Sequence, residues 1–486
     1  MAIEYYNTLT RKKEKFVPIK KDKVSFYACG PTVYAPAHIG NFRTFVFEDL
    51  LHRHLTYQGF NVELIMNITD VDDKTIKASI EQKVSLKDYT QKYSSIFLND
   101  LEKLNIKKAT NYPYATEHIQ PMIDLVEVLL EKKFAYIGED KSVYFSIRKF
   151  ADYGKFANID ISSLKPGARV NNDSYTKDNV SDFVLWKAYD EADGNVFWQT
   201  SFGKGRPGWH LECSAMSMQY LGKTIDIHAG GVDLIFPHHQ NEIAQSECST
   251  NQKFCNYWLH SEHLKVDGAK MSKSLGNFYT LDDIINKGYN VNSLRLFLLS
   301  AHYRQSLNFT FVGLDSMEKT LNGLVETYRT LKLMITNQFN SQTKLNEVSD
   351  DSSFEKLCLS NLNGFINSLD DDLNTPQAFS YLFLLEKEIN KGISSNSLSI
   401  NNLRTAKDTL EKMDSILQVI IPTFNEREKT IDKLSSFANS MIEKRKLAKQ
   451  EGNYQLADSI RKELLEKGII LEDVGGNTIW KLTSNN

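Results

Sequence analysis

Three groups of residues have the types and spacing to do chemistry. The first is His38-Ile39-Gly40-Asn41, which opens a stretch of helical apolar periodicity. A helix N-terminus offers free N–H groups and partial positive charge, so it suits phosphate. Gly40 lets a nucleotide approach the backbone closely, and His38 can donate to phosphate oxygens. The second is Lys270-Met271-Ser272-Lys273-Ser274, with two ammonium groups and two hydroxyls. A short loop of this kind can close over a triphosphate and neutralise charge that builds on a leaving pyrophosphate. The third is Cys29, Cys213, His238 and Glu242. On a helix His238 and Glu242 would project from one face, and a pair of thiolates with an imidazole and a carboxylate makes a tetrahedral zinc set. His239 rivals His238, because the sequence does not say which of the two adjacent rings faces inward. Cys248, Cys255 and Cys358 read as ordinary thiols.

These residues need elements to position them. Val24 to Cys29 alternates as a strand, Gly30-Pro31-Thr32 breaks it, and a helix is predicted from about Gly40 to Tyr57, stopping at Gly59. Phe42, Phe45, Val46, Leu50, Leu51 and Leu55 lie on or near one face of that helix. Val62 to Met66 is the next strand, which completes a βαβ unit. Ligands of such sheets sit at the carboxyl ends of strands, where Cys29 and the Asn67-Ile68-Thr69-Asp70 segment fall. A further strand, Ile225 to His228, runs into Ala229-Gly230-Gly231 and then a predicted helix carrying His238 and Glu242. A hairpin turning at Asp267-Gly268 leads into Lys270. The fold expected is α/β: a doubly wound, parallel, Rossmann-like nucleotide-binding domain with an insertion, then an α-helical bundle and a small C-terminal domain. The expected bounds are 1–110 and 206–258 for the two halves of that domain, 111–205 for the insertion, 259–309 for the lysine-rich loop region, 310–424 for the bundle and 425–486 for the C-terminal unit.

At 486 residues the chain is long enough for several domains with stable cores, and 41% hydrophobic with 24% charged residues is ordinary globular composition. A net charge of −3 does not mark the whole chain as a nucleic-acid binder, so any such surface must be local. Five widely spaced cysteines, an odd number, argue for reduced thiols and a cytoplasmic location. The first residues, Met1-Ala2-Ile3-Glu4-Tyr5-Tyr6, are not those of a signal peptide. No apolar run reaches 18 residues, so no membrane association is expected.

Together, in this order and separation, the first two groups resemble the two signatures of class I aminoacyl-tRNA synthetases. Longer segments sharpen the likeness: Tyr27 to Tyr34, Asn67 to Lys74, Gly167 to Val170, Asp182 to Lys187, Gly205 to Met216, His228 to Asp233 and Phe236 to Glu242. With these the chain resembles the cysteinyl-tRNA synthetases over nearly its whole length. The resemblance implies one zinc ion per chain held by Cys29, Cys213, His238 and Glu242. It implies ATP contacts, with Mg2+, from Gly40, Gly230, Asp233 and Lys273, and an adenylate-forming role for His38, Asn41, Lys270 and Lys273. Thr69, Trp209 and His228 are expected to line the amino-acid pocket, and Asp233 to meet the ribose hydroxyls. The implied reaction joins L-cysteine and ATP into cysteinyl-adenylate and transfers it to the 3′ end of the cysteine tRNA, in a monomer. The 310–424 bundle and the 425–486 unit would hold the tRNA, with Lys444-Arg445-Lys446 and Trp480 as contacts.

The chain departs from the class signature at Asn41, where the ideal residue is histidine, and has Val180-Ser181 where a proline is commoner. Two other readings fit parts of the pattern. One is a cysteine ligase that hands the adenylate to a small amino sugar; the other is a catalytically silent RNA-binding paralogue. Intact His38, Lys270 and Lys273 speak against the second.

Overall fold

In the computed structural model, residues 2–159, 169–170, 181–271, 275–340, 352–474 and 477–482 are described. Ser272, Lys273 and Ser274 of the lysine-rich loop lie outside them, as do Gly167, Ala168 and Val180.

The centre of the first unit is a four-stranded sheet in the order Cys255–Ser261, Ile225–Gly231, Lys23–Ala28, Asn61–Met66. All three pairings are parallel. The chain adds Asn61–Met66 on one side of Lys23–Ala28, then crosses to place Ile225–Gly231 on the other. The switch point therefore falls between these two strands, and a crevice opens there at their carboxyl ends. Gly30 follows directly; a Cβ at this position would lie 1.6 Å from the carbonyl oxygen of Asn67. Only glycine lets the two strand ends approach so closely.

The helix Ile39–Tyr57 is capped by His38 through a reciprocal pair of bonds with Asn41. It is buried around most of its circumference and not along one stripe: Arg43, Glu48, Asp49, His52 and His54 are buried with the apolar residues. The sequence pattern suggested one apolar face. The charged residues on the other faces are enclosed because later segments pack there. Arg43 donates to the carbonyls of Leu298, Ala301 and His302. Arg295 donates to Asp49 and to the carbonyls of Leu104 and Leu417.

The insertion builds a mainly antiparallel sheet of strands Ala135–Ile137, Val143–Phe145, Asp182–Ala188, Gly203–Pro207 and Trp198–Thr200, with Arg169–Val170 pairing alongside. Its strand Gly203–Pro207 runs straight into the helix Trp209–Leu221, which carries Cys213. Arg206, just before the turn, pairs with Asp193 and Asp73, and Lys187 pairs with Asp73. These buried or half-buried ions tie the insertion to Asp73, the first residue of the helix Asp73–Glu81. The expected hairpin is present as Leu264–Val266 and Ala269–Lys270, with Asp267 and Gly268 at φ +50° and +78°. That is the backbone a two-residue turn matching strand twist requires.

Helices Phe311–Asn340, Ser352–Asp370, Thr375–Ser394 and Ile400–Leu417 follow. A second compact unit covers residues 420–486. It holds a long helix, Ile420–Gln450, which is continuous across the expected 424/425 boundary, then helix Tyr454–Glu466 and the hairpin Ile469–Val474 with Asn477–Leu482. Its own core is Ala438, Met441, Ile460, Leu464, Ile469 and Leu471. Arg445 is buried while Lys444 and Lys446 are exposed, so the expected basic triplet does not form one face. Among the described residues, no helix is long and apolar enough to cross a membrane.

Candidate active site and metal-binding cluster

Cys29 follows the first strand and Cys213 sits in the second turn of the helix Trp209–Leu221. Glu242 begins the helix Gln240–Thr250. His238 is not within that regular helix. It lies in a wider turn, Ile235–His239, that leads into it. The i, i+4 relation nevertheless holds in space: His238 Nε2 is 3.1 Å from Glu242 Oε1. Cys29 Sγ is 3.9 Å from both Cys213 Sγ and Glu242 Oε1. Tetrahedral ligands at ordinary zinc bond lengths would be separated by about 3.8 Å for two sulfurs and about 3.3–3.6 Å for the mixed pairs. The four side chains thus converge with the spacing and chemistry of a metal site, and all are buried.

A second set overlaps the first: Cys29, His228, His239 and Glu242. His239 Nε2 is 3.4 Å from Cys29 Sγ and 3.9 Å from Glu242 Oε1. His228 Nε2, however, bonds the other carboxylate oxygen, Oε2, at 2.9 Å. His228 therefore stands behind Glu242 and orients it, the usual place of a ligand's supporting partner. Each rival histidine is itself held through Nδ1, His238 by His210 at 2.9 Å and His239 by His260 at 2.8 Å. Five of the chain's 11 histidines, at 210, 228, 238, 239 and 260, are buried here. The sequence reading took up only three of them, although His210 lies inside a segment already singled out.

Burial pushes the Cys29 thiol and the Glu242 carboxyl well above their ordinary values. It pushes His238 and His239 well below theirs, and His210, His228 and His260 down to about 3. Desolvation thus favours a neutral cluster, and a cation binding here displaces protons from its ligands.

The other expected pocket residues lie around this centre. Trp209 opens its helix, half-buried, with its ring centroid 4.3 Å from that of His238. Thr69 is buried, and its hydroxyl is committed: it accepts from Asn67 Nδ2 at 3.1 Å and donates to Glu212 Oε2 at 2.7 Å. Asn67 also accepts from the Gly30 N–H at 2.9 Å and faces Cys213 Sγ at 3.6 Å. Asn67 and Glu212 were missed as individual positions. Their signal was present: Asn67 opens the Asn67–Asp70 segment already singled out, and Glu212 adjoins Cys213.

On the nucleotide side the two cationic-loop and helix-start groups come together. The Ile39 N–H donates to the Tyr279 carbonyl at 2.9 Å, and a Cβ on Gly40 would lie 2.6 Å from Met271 Cε. Among the described residues, Met271 thus brings the lysine-rich segment against Gly40. Lys270 is exposed, and its carbonyl accepts from Asn277 Nδ2 at 3.2 Å. His38 Nδ1 accepts the Asn41 N–H at 3.1 Å, and Asn41 Oδ1 accepts the His38 N–H at 3.0 Å. Asn41 therefore acts on His38, as the reciprocal partner of its helix cap. With Nδ1 accepting, the neutral ring carries its proton on Nε2. Burial lowers the His38 pKa, and the charge of Asp233 works in the other direction. Asp233 itself is exposed in the turn Val232–Leu234. The Gly230-Gly231 backbone leaves little room above it: a Cβ on Gly230 would meet Leu234 at 2.8 Å, and one on Gly231 would meet Asp233 at 2.4 Å.

Comparison with known proteins bears on the whole chain. The family described as "tRNA synthetases class I (C) catalytic domain" matches residues 15–319, and a "DALR domain" matches residues 364–420. A protein named "Cysteine--tRNA ligase" from Brachyspira hyodysenteriae is 48% identical over 99% of this chain and 99% of its own length. One of the same name from Protochlamydia amoebophila is 46% identical over 99% and 98%. Methionyl-tRNA synthetase from Mycobacterium tuberculosis, solved in complex with methionyl-adenylate, aligns over 82% of this chain and 90% of its own with a TM-score of 0.61. At 15% identity that likeness shows the fold alone. Matched over this length and at this identity, the chain belongs to the cysteine--tRNA ligase family of class I tRNA synthetases.

Proposed function

We propose that this protein activates L-cysteine with ATP, releasing pyrophosphate, and passes the cysteinyl group to the 3′ end of the cysteine tRNA. One observation carries the reading. Two thiols, an imidazole and a carboxylate converge at the switch point of a nucleotide-binding sheet, in a chain of this family. Cysteine and serine have similar shapes, so an apolar pocket separates them poorly. A soft-metal site separates them by chemistry, and a site built around one such contact rejects an analogue lacking it by about 10⁴–10⁵-fold.

Zn2+ is the ion the donor set suits best, and Cys29, Cys213, His238 and Glu242 are the residues that would hold it. When bound, it supplies affinity for the substrate thiolate. His228, with its ring on Glu242, and His210, with its ring on His238, keep these ligands oriented. Trp209 closes one side of the amino-acid site, and Thr69 stiffens the opposite wall through Asn67 and Glu212. His38 presents its Nε2–H to phosphate oxygens, held by the Asn41 cap. Gly40 and Gly230 admit the nucleotide, Asp233 takes the ribose hydroxyls, and Lys270 and Lys273 balance charge on the departing pyrophosphate, which carries Mg2+. The enzyme works as a monomer in the cytoplasm, where its five reduced thiols persist.

The test is ATP–pyrophosphate exchange and charging of purified cysteine tRNA, with cysteine and serine compared, before and after chelation. Cysteine-dependent exchange that collapses on metal removal and returns with Zn2+ is expected. Exchange with equal rates for cysteine and serine would sink the reading.

A further inference from the structure

The turn between helices Ser352–Asp370 and Thr375–Ser394 of the bundle grips the N-terminal strand Glu4–Asn7. The Asp372 N–H donates to the Glu4 carbonyl at 2.9 Å, and Asp372 Oδ1 accepts the Tyr6 N–H at 2.8 Å. Between them, the Tyr5 hydroxyl is bonded to His54 Nδ1 at 3.1 Å, and His54 Nε2 to Asp370 Oδ1 at 2.9 Å. Asp372 is itself buried and held: Oδ1 also accepts from the Tyr303 hydroxyl at 2.6 Å, and Oδ2 accepts from Arg304 Nε at 2.8 Å. Asp372 and Leu373 sit at φ +60° and +53°. Left-handed backbone at a leucine persists only where its surroundings over-determine it.

The same strand and Thr8 after it hold one wall of the metal cluster. Among the described residues, Cys255–Ser261 is an edge strand of the four-stranded sheet, with one strand neighbour. Asn7 and Thr8 fasten its other edge. Asn7 Nδ2 donates to the Asn256 carbonyl at 2.8 Å, and Asn7 Oδ1 accepts the Trp258 N–H at 3.1 Å. The Thr8 N–H donates to the Trp258 carbonyl at 2.9 Å. The Thr8 hydroxyl is bonded to His260 Nδ1 at 2.7 Å, and His260 in turn holds His239. The Trp258 ring stacks on His228, with centroids 4.5 Å apart and planes at 16°. His239 and His228 are the rings that stand against Cys29 and Glu242. Where both rings lie thus depends on where Asn7 and Thr8 lie. A strand advances about 3.3 Å per residue, so the grip on Tyr6 is only about 7 Å along the chain from Thr8.

We propose that residues 4–8 are a strap that fixes the histidine wall of the cysteine site, and that Asp372, although it belongs to the bundle, is a positioning residue for cysteine activation. The proposal rests on the reading of the cluster as the cysteine site. It places a residue of the bundle in the first half of the reaction, which needs no tRNA.

The experiment measures pyrophosphate exchange without tRNA, cysteine binding by titration calorimetry, and Tm. It uses native protein, T8V, T8S, D372N and the double variant T8V/D372N. T8V should weaken cysteine binding and raise KM for cysteine about tenfold, as for loss of a ligand's supporting partner, with KM for ATP close to native. T8S keeps the hydroxyl and should behave like native protein. D372N should act in the same direction on cysteine and spare ATP. In the double variant the effect on cysteine should fall short of the product of the two single effects, because both loosen one strap. If D372N does not fold, Tyr303→Phe, which takes one donor from the Asp372 carboxyl, replaces it in the cycle. Native cysteine binding in T8V or in the Asp372 arm overturns the proposal. So do equal changes for cysteine and ATP, T8S matching T8V, or single effects that multiply. Native protein that exchanges equally with cysteine and serine would overturn the underlying site reading, and that result needs no variant.

Discussion

At the residue scale the ligand set owes its selectivity to two sulfurs at the ends of different elements. Cys29 follows a strand and Cys213 lies in a helix delivered by the insertion. Replacing Cys213 by alanine leaves a three-donor set of one sulfur, one nitrogen and one oxygen. Elemental analysis of Cys213→Ala should show loss of bound zinc, and the variant should lose discrimination between cysteine and serine. Full zinc content with intact discrimination would move the site to the alternative set of His228 and His239. The sequence made the donor types legible, because thiols, imidazoles and carboxylates advertise their chemistry. It did not distinguish His238 from His239, because the turn Ile235–His239 is wider than an α-helix and brings both Nε2 atoms to Glu242. For the lysine-rich loop the expectation concerns Lys273. Lys273→Ala should slow cysteine-dependent pyrophosphate exchange by about 10²–10³-fold or more, as for loss of one preorganised charge-stabilising donor. Near-native exchange would remove it from the catalytic set.

At the scale of elements, the helix Ile39–Tyr57 is where sequence pattern misleads. Apolar periodicity found its existence and its ends, but not the burial of its charged residues, because their partners come from segments far along the chain. Arg295 is fully buried and ties three elements together: Asp49 of this helix, the end of helix Leu86–Lys103 through Leu104, and the end of helix Ile400–Leu417 through Leu417. Removing one member strands the other ion in the interior, which costs on the order of 3–5 kcal/mol. Arg295→Met should therefore lower the unfolding free energy by about that amount in a denaturant titration. The pH dependence has a definite sign. Burial pushes the Asp49 carboxyl up, but Arg295 and Arg53 outweigh it and hold its pKa below the usual value. A depressed carboxylate contributes stability above its unfolded value, about 3.9, and that contribution is lost as pH falls through the lower folded value. Asp49→Asn should thus destabilise the protein at neutral pH and flatten the acid limb of its stability curve. An acid limb identical to the native one would show that Asp49 is not among the groups whose protonation drives acid unfolding.

At the scale of the molecule, all the metal and nucleotide candidates lie in the unit of residues 1–419, and none lies in residues 420–486. The second unit closes its own core with two helices and a hairpin, so it is expected to be separable. Its long helix, Ile420–Gln450, runs unbroken through the point where bundle and terminal unit were expected to part, so it was the boundary at 424/425 that the sequence did not place. Lys444 and Lys446 face solvent there, whereas Arg445 is buried and contributes no surface charge to RNA. We propose that this unit serves tRNA recognition and leaves adenylate chemistry alone. A chain ending at Val419 should then keep cysteine-dependent pyrophosphate exchange close to native while charging tRNA with a raised KM, because binding energy remote from the reacting centre has been removed. Lys444→Ala with Lys446→Ala in the full chain should weaken tRNA binding and flatten its salt dependence, while Arg445→Ala should act through stability. Unchanged charging by a folded truncation would detach the unit from tRNA and favour a small acceptor for the adenylate. Loss of pyrophosphate exchange as well would instead make it a support of the catalytic fold, and a fall in the Tm of the remaining unit would separate that outcome from the first.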